Sequence, residues 1–535
     1  DNRSPMSIKE FFTNDLDIKD DQIEKFKDKI RGYISYRRGE DPNVFPMKLW
    51  PSIKEESKRN LFIPNNTDCL IRSWAADIDN NSDGRELANL FKDTTGKTSS
   101  QLNTKLQTII NKKKRQDTEY EKIFSSDTNF ISKKSDDSIR DIVLYRSYMG
   151  DYQYNVYKNL PRRSGFDAEP RKISNMVYPN FESGNNINGN LKNIFNKRKG
   201  AKYTLKANAL QSDGKSILHT DYLSNYSSKM ANIVNIIKNS EGIVFIYSQF
   251  KEFGAEILSL ILEENGFNRF NCNSNGTILK NQNLSKRDTP RFKKKGYQMN
   301  YILLTGDTNK KILNKLKDYS NDKKNKDGNI IKVIIGTQVI EQGISFFNVR
   351  QIHIMDPWYN ISSQDQVIGR GCRRFSHKNL PIKKRNVTIY LHLSVVPNTL
   401  PKKEQKKRLI EERMYSTSLS KYRSISKVHR IMKETTIDCH LNKKANIFTK
   451  KQNPDGDFDN FSIHQDSQGI LRYIPYSDID GSLRCDFGDC DYNCEGGTLS
   501  EGDKINKDTY DLSTLDDDIL IGKELIKNIF EESFV

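Results

Sequence analysis

A glutamine and two arginines near residue 370 have the types and the spacing of a triphosphate-binding surface. They are Gln366, Arg370 and Arg373, within the stretch SSQDQVIGRGCRR. If Ser362 or Ser363 caps a helix here, the three side chains fall at i, i+4 and i+7 and share one face. Arginine suits phosphate because its planar, permanently charged fork grips two oxygens and stabilises charge on a phosphoryl group in transfer. The pattern predicts a phosphate-binding helix face, with a basic, solvated amphipathic helix as the alternative.

Two glycines lie inside this predicted helix. Gly369 and Gly371 each cost roughly 1 kcal/mol in a helix interior. We expect close approach of the backbone to a neighbouring surface or a ligand to compensate for that cost.

Short apolar runs on both sides of this helix predict the sheet that positions it. The runs are GIVFIY at 242–247, YILL at 301–304, KVIIG at 332–336, QIHIMD at 351–356 and NVTIYLHLS at 386–394. They alternate with helical patterns and are mainly apolar, as buried parallel strands are. The carboxyl ends of such strands carry the working loops of an α/β domain. The sequence therefore predicts an α/β fold with a doubly wound parallel sheet over about 226–400.

Two motifs in this region resemble those of superfamily 2 helicases and translocases. GTQVIEQGIS resembles motif V, and QVIGRGCR resembles motif VI with its QxxGRxxR pattern. The intervening IMDPWYNISSQDQ is similar to the DPW(W/Y)NP segment of Swi/Snf-type DNA translocases. The overall resemblance is to the helicase-like ATPases of large DNA viruses, the group of the poxvirus early transcription factor small subunit and nucleoside triphosphatase I. RGYISYRRGEDPNVFP, NMVYPNF and IVFIYSQFKEFG, at 31–46, 175–181 and 243–254, resemble the same group.

The resemblance implies the second RecA-like domain of a motor that uses ATP with Mg²⁺. Arg373 would be the arginine finger, and Arg370 would be the other phosphate-facing arginine. Gln366 would help to couple the nucleotide to the cleft. In motif V, Gly343 would let the backbone approach closely, and Ser345 would lie near the ribose, where many relatives have Asp or Asn.

A second set of residues is implied to contact nucleic acid. Thr337 aligns with a phosphate contact of motif V. Ser248 and Gln249 follow the strand that resembles motif IV, and Thr305 and Gly306 follow the next strand. Hydroxyls, amides and loop N–H groups there could hold a phosphodiester backbone without reading its sequence. Ordinary loop capping is the alternative for each of them.

A Walker A loop and a DExx box are not found in the sequence. The nearest candidate, DTTGKTSS at 93–100, has Phe91 where the first glycine of the motif belongs, and it follows a helix-like stretch. The family-like segment also starts soon after Asp1. We therefore expect the carboxyl-terminal part of a longer polypeptide, in which a first motor domain binds most of the ATP and Mg²⁺. This chain alone is expected to be inactive.

The charge balance favours a polyanionic partner. The chain has 87 Lys and Arg against 69 Asp and Glu, a net charge of +18. Nucleic acid fits this charge, and the resemblance makes double-stranded DNA the expected form. A Lys- and Asn-rich composition from an AT-rich genome is the alternative. No apolar run is long enough for a membrane span. The resemblance further implies viral RNA polymerase or transcription factor subunits as partners, and a location in the virion or the host cytoplasm.

The cysteines near the end of the chain predict a structural zinc site. Cys485, Cys490 and Cys494 lie within RCDFGDCDYNCEGG, and Cys439 lies upstream with His440 as an alternative fourth ligand. Clustered thiolates are the ligands of tetrahedral Zn²⁺. With seven cysteines and no paired framework, the chain also predicts a reducing compartment. The alternative is a loop with unpaired cysteines.

Four regions follow from these patterns. They are a linker at 1–46, a mainly helical insertion at 47–225, the RecA-like domain at 226–400, and a region at 401–535 with basic helices, the zinc module at 439–497 and an amphipathic helix. The function expected is the second half of an ATP-dependent nucleic-acid helicase or DNA translocase in viral transcription. The alternative is a non-catalytic nucleic-acid-binding subunit of a transcription complex with a helicase-like fold.

Overall fold

The structure is a computed structural model of the 535-residue chain. It describes residues 8–13, 17–39, 44–51, 61–62, 143–160, 168–179, 190–198, 202–271, 274–276, 278–280, 299–341, 343–405, 407–447, 461–475, 478, 481–495 and 519–527. The loop at 93–100 and most of the predicted helical insertion lie outside the described residues.

Helices and strands are numbered in chain order. The helices are α1 (Ile8–Phe11), α2 (Ile23–Ile30), α3 (Asp151–Lys158), α4 (Ala168–Asn175), α5 (Leu191–Ile194), α6 (Thr220–Leu223), α7 (Ser228–Lys238), α8 (Glu256–Glu264), α9 (Lys310–Asn321), α10 (Ile361–Gly371), α11 (Lys402–Gln405), α12 (Ile410–Glu434) and α13 (Cys439–Asn446). A π-helical turn at Lys251–Ala255 leads into α8. Residues 519–527 are also helical.

The strands are β1 (Met47–Leu49), β2 (Leu61–Phe62), β3 (Leu144–Tyr148), β4 (Phe195–Arg198), β5 (Lys202–Leu205), β6 (Ile243–Tyr247), β7 (Asn268–Asn271), β8 (Ser274–Gly276), β9 (Leu279–Lys280), β10 (Asn300–Leu304), β11 (Val333–Gly336), β12 (Val349–Ile354), β13 (Asn386–Val395), β14 (Phe461–Gln465) and β15 (Leu471–Pro475). Each of the five strands predicted from apolar runs is present.

Ten of the described strands form one sheet. Its order is β2-β3-β13-β12-β6-β11-β10-β7-β8, and β1 also pairs with β13. The pairs from β3 through to β7 are parallel, whereas β2 and β8 run antiparallel to their neighbours at the edges. The strands β6, β11 and β12 are buried along their whole length. The Val- and Ile-rich sequences of β6 and β11 fit this position because both faces of a parallel sheet are covered.

Helices cover both faces of the sheet. On one face, α7 and α8 pack on the strands through a core that includes Ile233, Leu258 and Val244. On the other face, α9, α10 and α12 pack through Leu316, Val367 and other apolar side chains. This arrangement confirms the predicted doubly wound, RecA-like fold.

The sheet extends beyond the predicted boundary at residue 226. Both β1 and β3 pair with β13, although both come from the predicted insertion at 47–225. The helices α1 and α2 pack against α12 through a small core that includes Phe26 and Ile431. The first part of the chain is thus built into the domain, because its apolar side chains complete the edge of the sheet and the face of α12.

A hairpin after the basic helices covers the edge where the strands begin. In this hairpin, β14 pairs with β15. The carbonyl oxygen of Gln465 accepts a hydrogen bond from Arg350 Nη2 at 2.5 Å, and Ser467 accepts one from Gln351 Nε2 at 2.8 Å. The hairpin therefore satisfies polar groups at the start of β12. The helices of the described part of the chain include none long and apolar enough to cross a membrane.

The four cysteines of the predicted zinc module form two disulfides. Cys439 bonds to Cys494, and Cys485 bonds to Cys490, within one small buried cluster. Disulfide sulfurs are not thiolates and cannot bind zinc as predicted. Across the described ranges, no group of three or more His, Cys, Asp or Glu side chains could hold a metal ion. The zinc prediction is therefore wrong for this structure, and so is its alternative, a loop with unpaired cysteines.

Candidate nucleotide and nucleic-acid site

Helix α10 is the element that presents the predicted phosphate-binding residues. Its N-cap is Asn360, whose side-chain oxygen accepts a hydrogen bond from the backbone N–H of Ser362 at 2.9 Å. The cap thus precedes the predicted Ser362 or Ser363. An asparagine cap satisfies a backbone donor that has no partner within the first turn.

The three motif VI side chains do not all lie on that helix. Gln366 and Arg370 are helical residues, but α10 ends at Gly371, so Arg373 lies two residues beyond it. Gln366 and Arg373 are exposed, and Arg370 is half-buried. The helix-face prediction therefore holds for the first two residues, and the third is positioned by the segment after the helix.

The segment after the helix is held by motif V. Arg373 Nη1 donates a hydrogen bond to the hydroxyl of Ser345 at 2.6 Å. One residue on, the backbone N–H of Phe346 donates to the carbonyl oxygen of Arg370 at 2.8 Å. Motifs V and VI therefore form one continuous hydrogen-bonded surface. The ribose contact suggested for Ser345 stays a prediction.

The two glycines of α10 have different surroundings. A Cβ on Gly371 would lie 3.0 Å from Cδ1 of Ile352 and 3.4 Å from Cβ of Val349. This spacing confirms close backbone approach of the helix end to β12. A Cβ on Gly369 would meet nothing within 4 Å among the described residues, so no close approach explains this glycine.

The remaining motif V residues form a turn after β11. Gly343 has φ +76°, a conformation that side-chain-bearing residues rarely adopt, and a Cβ there would meet no described atom within 4 Å. Thr337 is buried, and its N–H donates to the carbonyl oxygen of Leu304 at 3.1 Å. Gly343 therefore shapes the turn, and Thr337 fixes its start to the neighbouring strand.

The loop after β10 lies beside this turn. The N–H of Thr305 donates a hydrogen bond to the hydroxyl of Thr308 at 3.0 Å. Gly306 is exposed, and Asp307 forms an ion pair with Lys251 of the loop after β6. Thr305 and Gly306 are thus at the carboxyl edge of the sheet, as predicted, with the backbone of Gly306 open to solvent.

The loop after β6 is held by hydrogen bonds to the carboxylate of Asp356. The Ser248 hydroxyl is fully buried and donates to Asp356 Oδ2 at 2.9 Å, and the N–H of Gln249 donates to the same oxygen at 2.6 Å. The hydroxyl of Ser248 is therefore engaged inside the protein, which corrects the prediction of a direct contact with nucleic acid. Asp356 begins the DPW segment, so this carboxylate joins that segment to the motif IV loop.

Arg171 of α4 contacts both the loop after β6 and the DPW segment. Its guanidinium lies 5.1 Å from the ring centroid of Phe250 and 4.9 Å from that of Trp358, and its Nη2 donates to Gln249 Oε1 at 2.5 Å. A guanidinium between two aromatic rings gains cation–π attraction on both sides. Arg171 therefore positions Gln249, one of the predicted nucleic-acid contacts.

A fully buried ion pair lies beneath this loop cluster. Lys229 Nζ is 2.5 Å from Glu411 Oε1 and 2.8 Å from the carbonyl oxygen of Met355. Burial raises the pKa of Glu411, and the Lys229 ammonium opposes that shift. The N–H of Ser394 donates to the second carboxylate oxygen at 2.8 Å. The pair thus connects α7, α12 and the strand ends. No sequence motif marks it, because its members come from separate amphipathic helices.

Residues 228–374 match the family of helicase conserved C-terminal domains. The match starts at α7 and ends just after the motif VI arginines. This part of the chain is therefore a helicase C-terminal domain of the superfamily 2 type, which confirms the family recognised from motifs V and VI.

The chain is similar to viral proteins that are named as helicases and to one that is named as a termination factor homologue. It is 27% identical over 431 residues to a candidate ATP-dependent RNA helicase of Acanthamoeba polyphaga mimivirus, covering 80% of this chain and 53% of that protein. It is 29% identical over 360 residues to a candidate helicase of Invertebrate iridescent virus 3, covering 65% and 30%. A termination factor NPH-I homologue of African swine fever virus is 28% identical over 246 residues, covering 42% and 34%. The chain spans about half the length of the first of these relatives and a third of the others.

Proposed function

We propose that this chain is the second motor half of an ATP-dependent nucleic-acid helicase or DNA translocase. Arg373 would act as the arginine finger on the γ-phosphate, and Arg370 and Gln366 would contact the nucleotide beside it. A first motor domain would bind Mg²⁺ and most of the ATP. Thr337, Gly306 and Gln249 would hold the nucleic-acid backbone at the carboxyl edge of the sheet.

The observation that carries the proposal is the hydrogen bond between Arg373 and Ser345. It holds an exposed guanidinium at a fixed position beside the turn after β11. A positive group that is already oriented stabilises developing phosphoryl charge without reorganising during the reaction. An arginine on a merely solvated face would need no such partner in the turn after β11. This geometry supports a catalytic role over the solvated-helix alternative.

The biological setting is a further part of the proposal. Similarity to viral helicases and to a termination factor homologue supports a role in viral transcription. Viral RNA polymerase or transcription factor subunits would be the protein partners, and double-stranded DNA the track. The site of action would be the virion or the host cytoplasm.

The test compares two neighbouring arginines in the full-length gene product. Arg373→Ala should lower nucleic-acid-stimulated ATP hydrolysis by about a thousandfold while affinity for DNA stays within about threefold, because the finger acts on developing charge. The matched control is Arg374→Ala, which removes the same charge from a guanidinium that packs on Phe375 with 5.3 Å to the ring centroid. This control should keep most of the turnover.

Two results would contradict the proposal. Equal loss of binding and turnover in Arg373→Ala would make Arg373 a structural or strand-contacting residue. A full-length protein that binds nucleic acid without hydrolysing ATP would instead support the non-catalytic alternative. Residues 1–535 alone should show no ATP turnover above background.

A further inference from the structure

The helix α9 carries a run of lysines that are not neutralised by carboxylates. Lys310, Lys311, Lys315, Lys323 and Lys324 are all exposed, in α9 and the 3-10 turn that follows it. Within the described ranges, none of these five has a carboxylate within 4.0 Å. The ion pairs of this stretch are those of two other lysines with adjacent aspartates, at 3.4 and 3.9 Å.

Other basic helices of the chain differ from α9 in this respect. On α2, Lys25 pairs with Glu10 and Lys27 with Glu24. On α12, Lys433 lies 2.6 Å from Asp486. These lysines thus have carboxylate partners, whereas the five of α9 and the turn after it have none among the described residues. Such a surface attracts phosphates.

An aromatic ring lies in the same row as the lysines. Lys311, Lys315 and Tyr319 are four residues apart and so lie above one another on one helix face. Tyr319 is 41% exposed, and its ring meets Phe270 edge-on with 5.2 Å between centroids. Phe270 thus holds the edge of the ring, while part of the tyrosine stays open to solvent. Beside the row, Ile312 is 44% exposed and adds apolar surface.

We propose that this row of α9 binds single-stranded nucleic acid outside the motor cleft. The lysines would contact phosphates, and an unpaired base would stack on Tyr319, because a positively charged groove with aromatic rings is the general means of holding single strands. A duplex has no free base face to offer this ring. The proposal deepens the helicase form of the proposed function and rests on it, because an enzyme that separates strands produces single strands that such a surface can hold.

The test measures binding of this chain to a fluorescein-labelled oligothymidylate strand and to a duplex of the same length, by anisotropy over a range of salt. The double variant Lys311→Gln/Lys315→Gln should weaken single-strand binding about 10- to 30-fold at roughly 0.1 M salt and reduce the salt slope by about 1.4. The matched control, Lys25→Gln/Lys27→Gln, removes the same charge from α2 and should change affinity less than about twofold, since its lysines already have carboxylate partners.

The tyrosine separates stacking from charge. Tyr319→Ala should weaken single-strand binding at least about fivefold and leave duplex binding unchanged, whereas Tyr319→Phe should bind normally. Thermal unfolding of each variant checks that the helix is intact. The inference fails if the α9 and α2 double variants lose equal affinity for the single strand, or if Tyr319→Ala loses equal affinity for both substrates. Either result would leave the proposed function standing. If the unmodified chain binds neither substrate, the proposed function fails with the inference. The ATPase comparison of Arg373→Ala is independent of both outcomes.

Discussion

The guanidinium of Arg373 donates a hydrogen bond to the hydroxyl of Ser345 over 2.6 Å, although 28 residues separate them in the chain. The backbone of Ser345 is also fixed, because its carbonyl oxygen accepts a hydrogen bond from Asn321 Nδ2 at 2.9 Å. Asn321 is the last residue of α9. Arg373, the motif V turn and α9 are therefore linked through consecutive hydrogen bonds.

The first prediction concerns Ser345 as a positioning residue. In the full-length protein, Ser345→Ala should lower kcat for ATP hydrolysis about tenfold with little change in KM, because a hydrogen bond to a charged group contributes about 1.5–3 kcal/mol. Ser345→Thr keeps the hydroxyl and should restore turnover. In an Arg373→Ala background, Ser345→Ala should add almost nothing. Steady-state kinetics of the unmodified protein and the four variants measures this, and fully additive losses would show that Ser345 acts independently of Arg373.

The second prediction concerns Arg171. Arg171→Ala removes the guanidinium between Phe250 and Trp358 and should speed amide hydrogen exchange in both loops about tenfold, as expected for cation–π contacts worth about 0.5–2 kcal/mol. Lys172→Ala is the control, since Lys172 is the adjacent residue and its ammonium pairs with Glu169 on the surface. Unchanged exchange in the Arg171 variant would mean that the loops are held by Asp356 alone.

The third prediction concerns the buried ion pair. Lys229→Met should lower the free energy of unfolding by about 3–5 kcal/mol, because it leaves the Glu411 carboxylate buried without its partner. Adding Glu411→Leu should recover most of that loss. Lys407→Met, which breaks a surface pair with Glu404, should leave the urea midpoint unchanged. A single variant as stable as the unmodified chain would refute the assigned role of the pair.

The fourth prediction concerns acid stability. Burial lowers the pKa of His353 and of His377 to about 3 from the usual value of 6.5. Below about pH 6.5 the two histidines bind protons in the unfolded chain but stay neutral in the folded chain. The free energy of unfolding is therefore highest above that pH and falls as the pH is lowered towards 3. The loss should be about 1.4 kcal/mol per pH unit for each histidine. Urea unfolding between pH 7 and 5 measures it.

Two substitutions check that assignment. His353→Phe should reduce the pH dependence by one proton, and the exposed His429→Gln should leave it as it is. An unchanged slope in His353→Phe would show that other groups account for the acid sensitivity.

The fifth prediction concerns the cysteines. Peptide mapping without reductant should recover peptides that join Cys439 to Cys494 and Cys485 to Cys490. Closing a loop of 55 residues contributes about 4 kcal/mol in the chain-entropy account. Cys439→Ser should therefore loosen 439–495 and leave the sheet folded, as measured by hydrogen exchange. Rapid alkylation of all four thiols in the native protein would contradict the pairing.

The strands could be predicted from sequence because their burial on both faces leaves an almost purely apolar signal. Motif VI could be placed because its residue types and spacing are local. Arg171 could not be found in this way, since it meets Pro357 across 186 residues and no periodicity records such a contact. Asn360 could not be chosen as the cap from sequence, because the serines that follow it are equally good N-cap residues. The cysteines were misinterpreted because their spacing does not record whether the thiols are oxidised.

Two strands that are far apart in the chain share one position in the sheet, beside β13. Leu49 at the end of β1 lies opposite Thr388, and Leu144 at the start of β3 lies opposite Leu391 on the same side of β13. The strands β1 and β3 lie end to end beside β13. The end of β1 and the start of β3 are about 10 Å apart along β13. The chain therefore leaves this strand position after Leu49 and returns to it at Leu144. A short linker that joined the two ends would keep β1 and β3 but would remove β2, which pairs with β3 at the edge of the sheet.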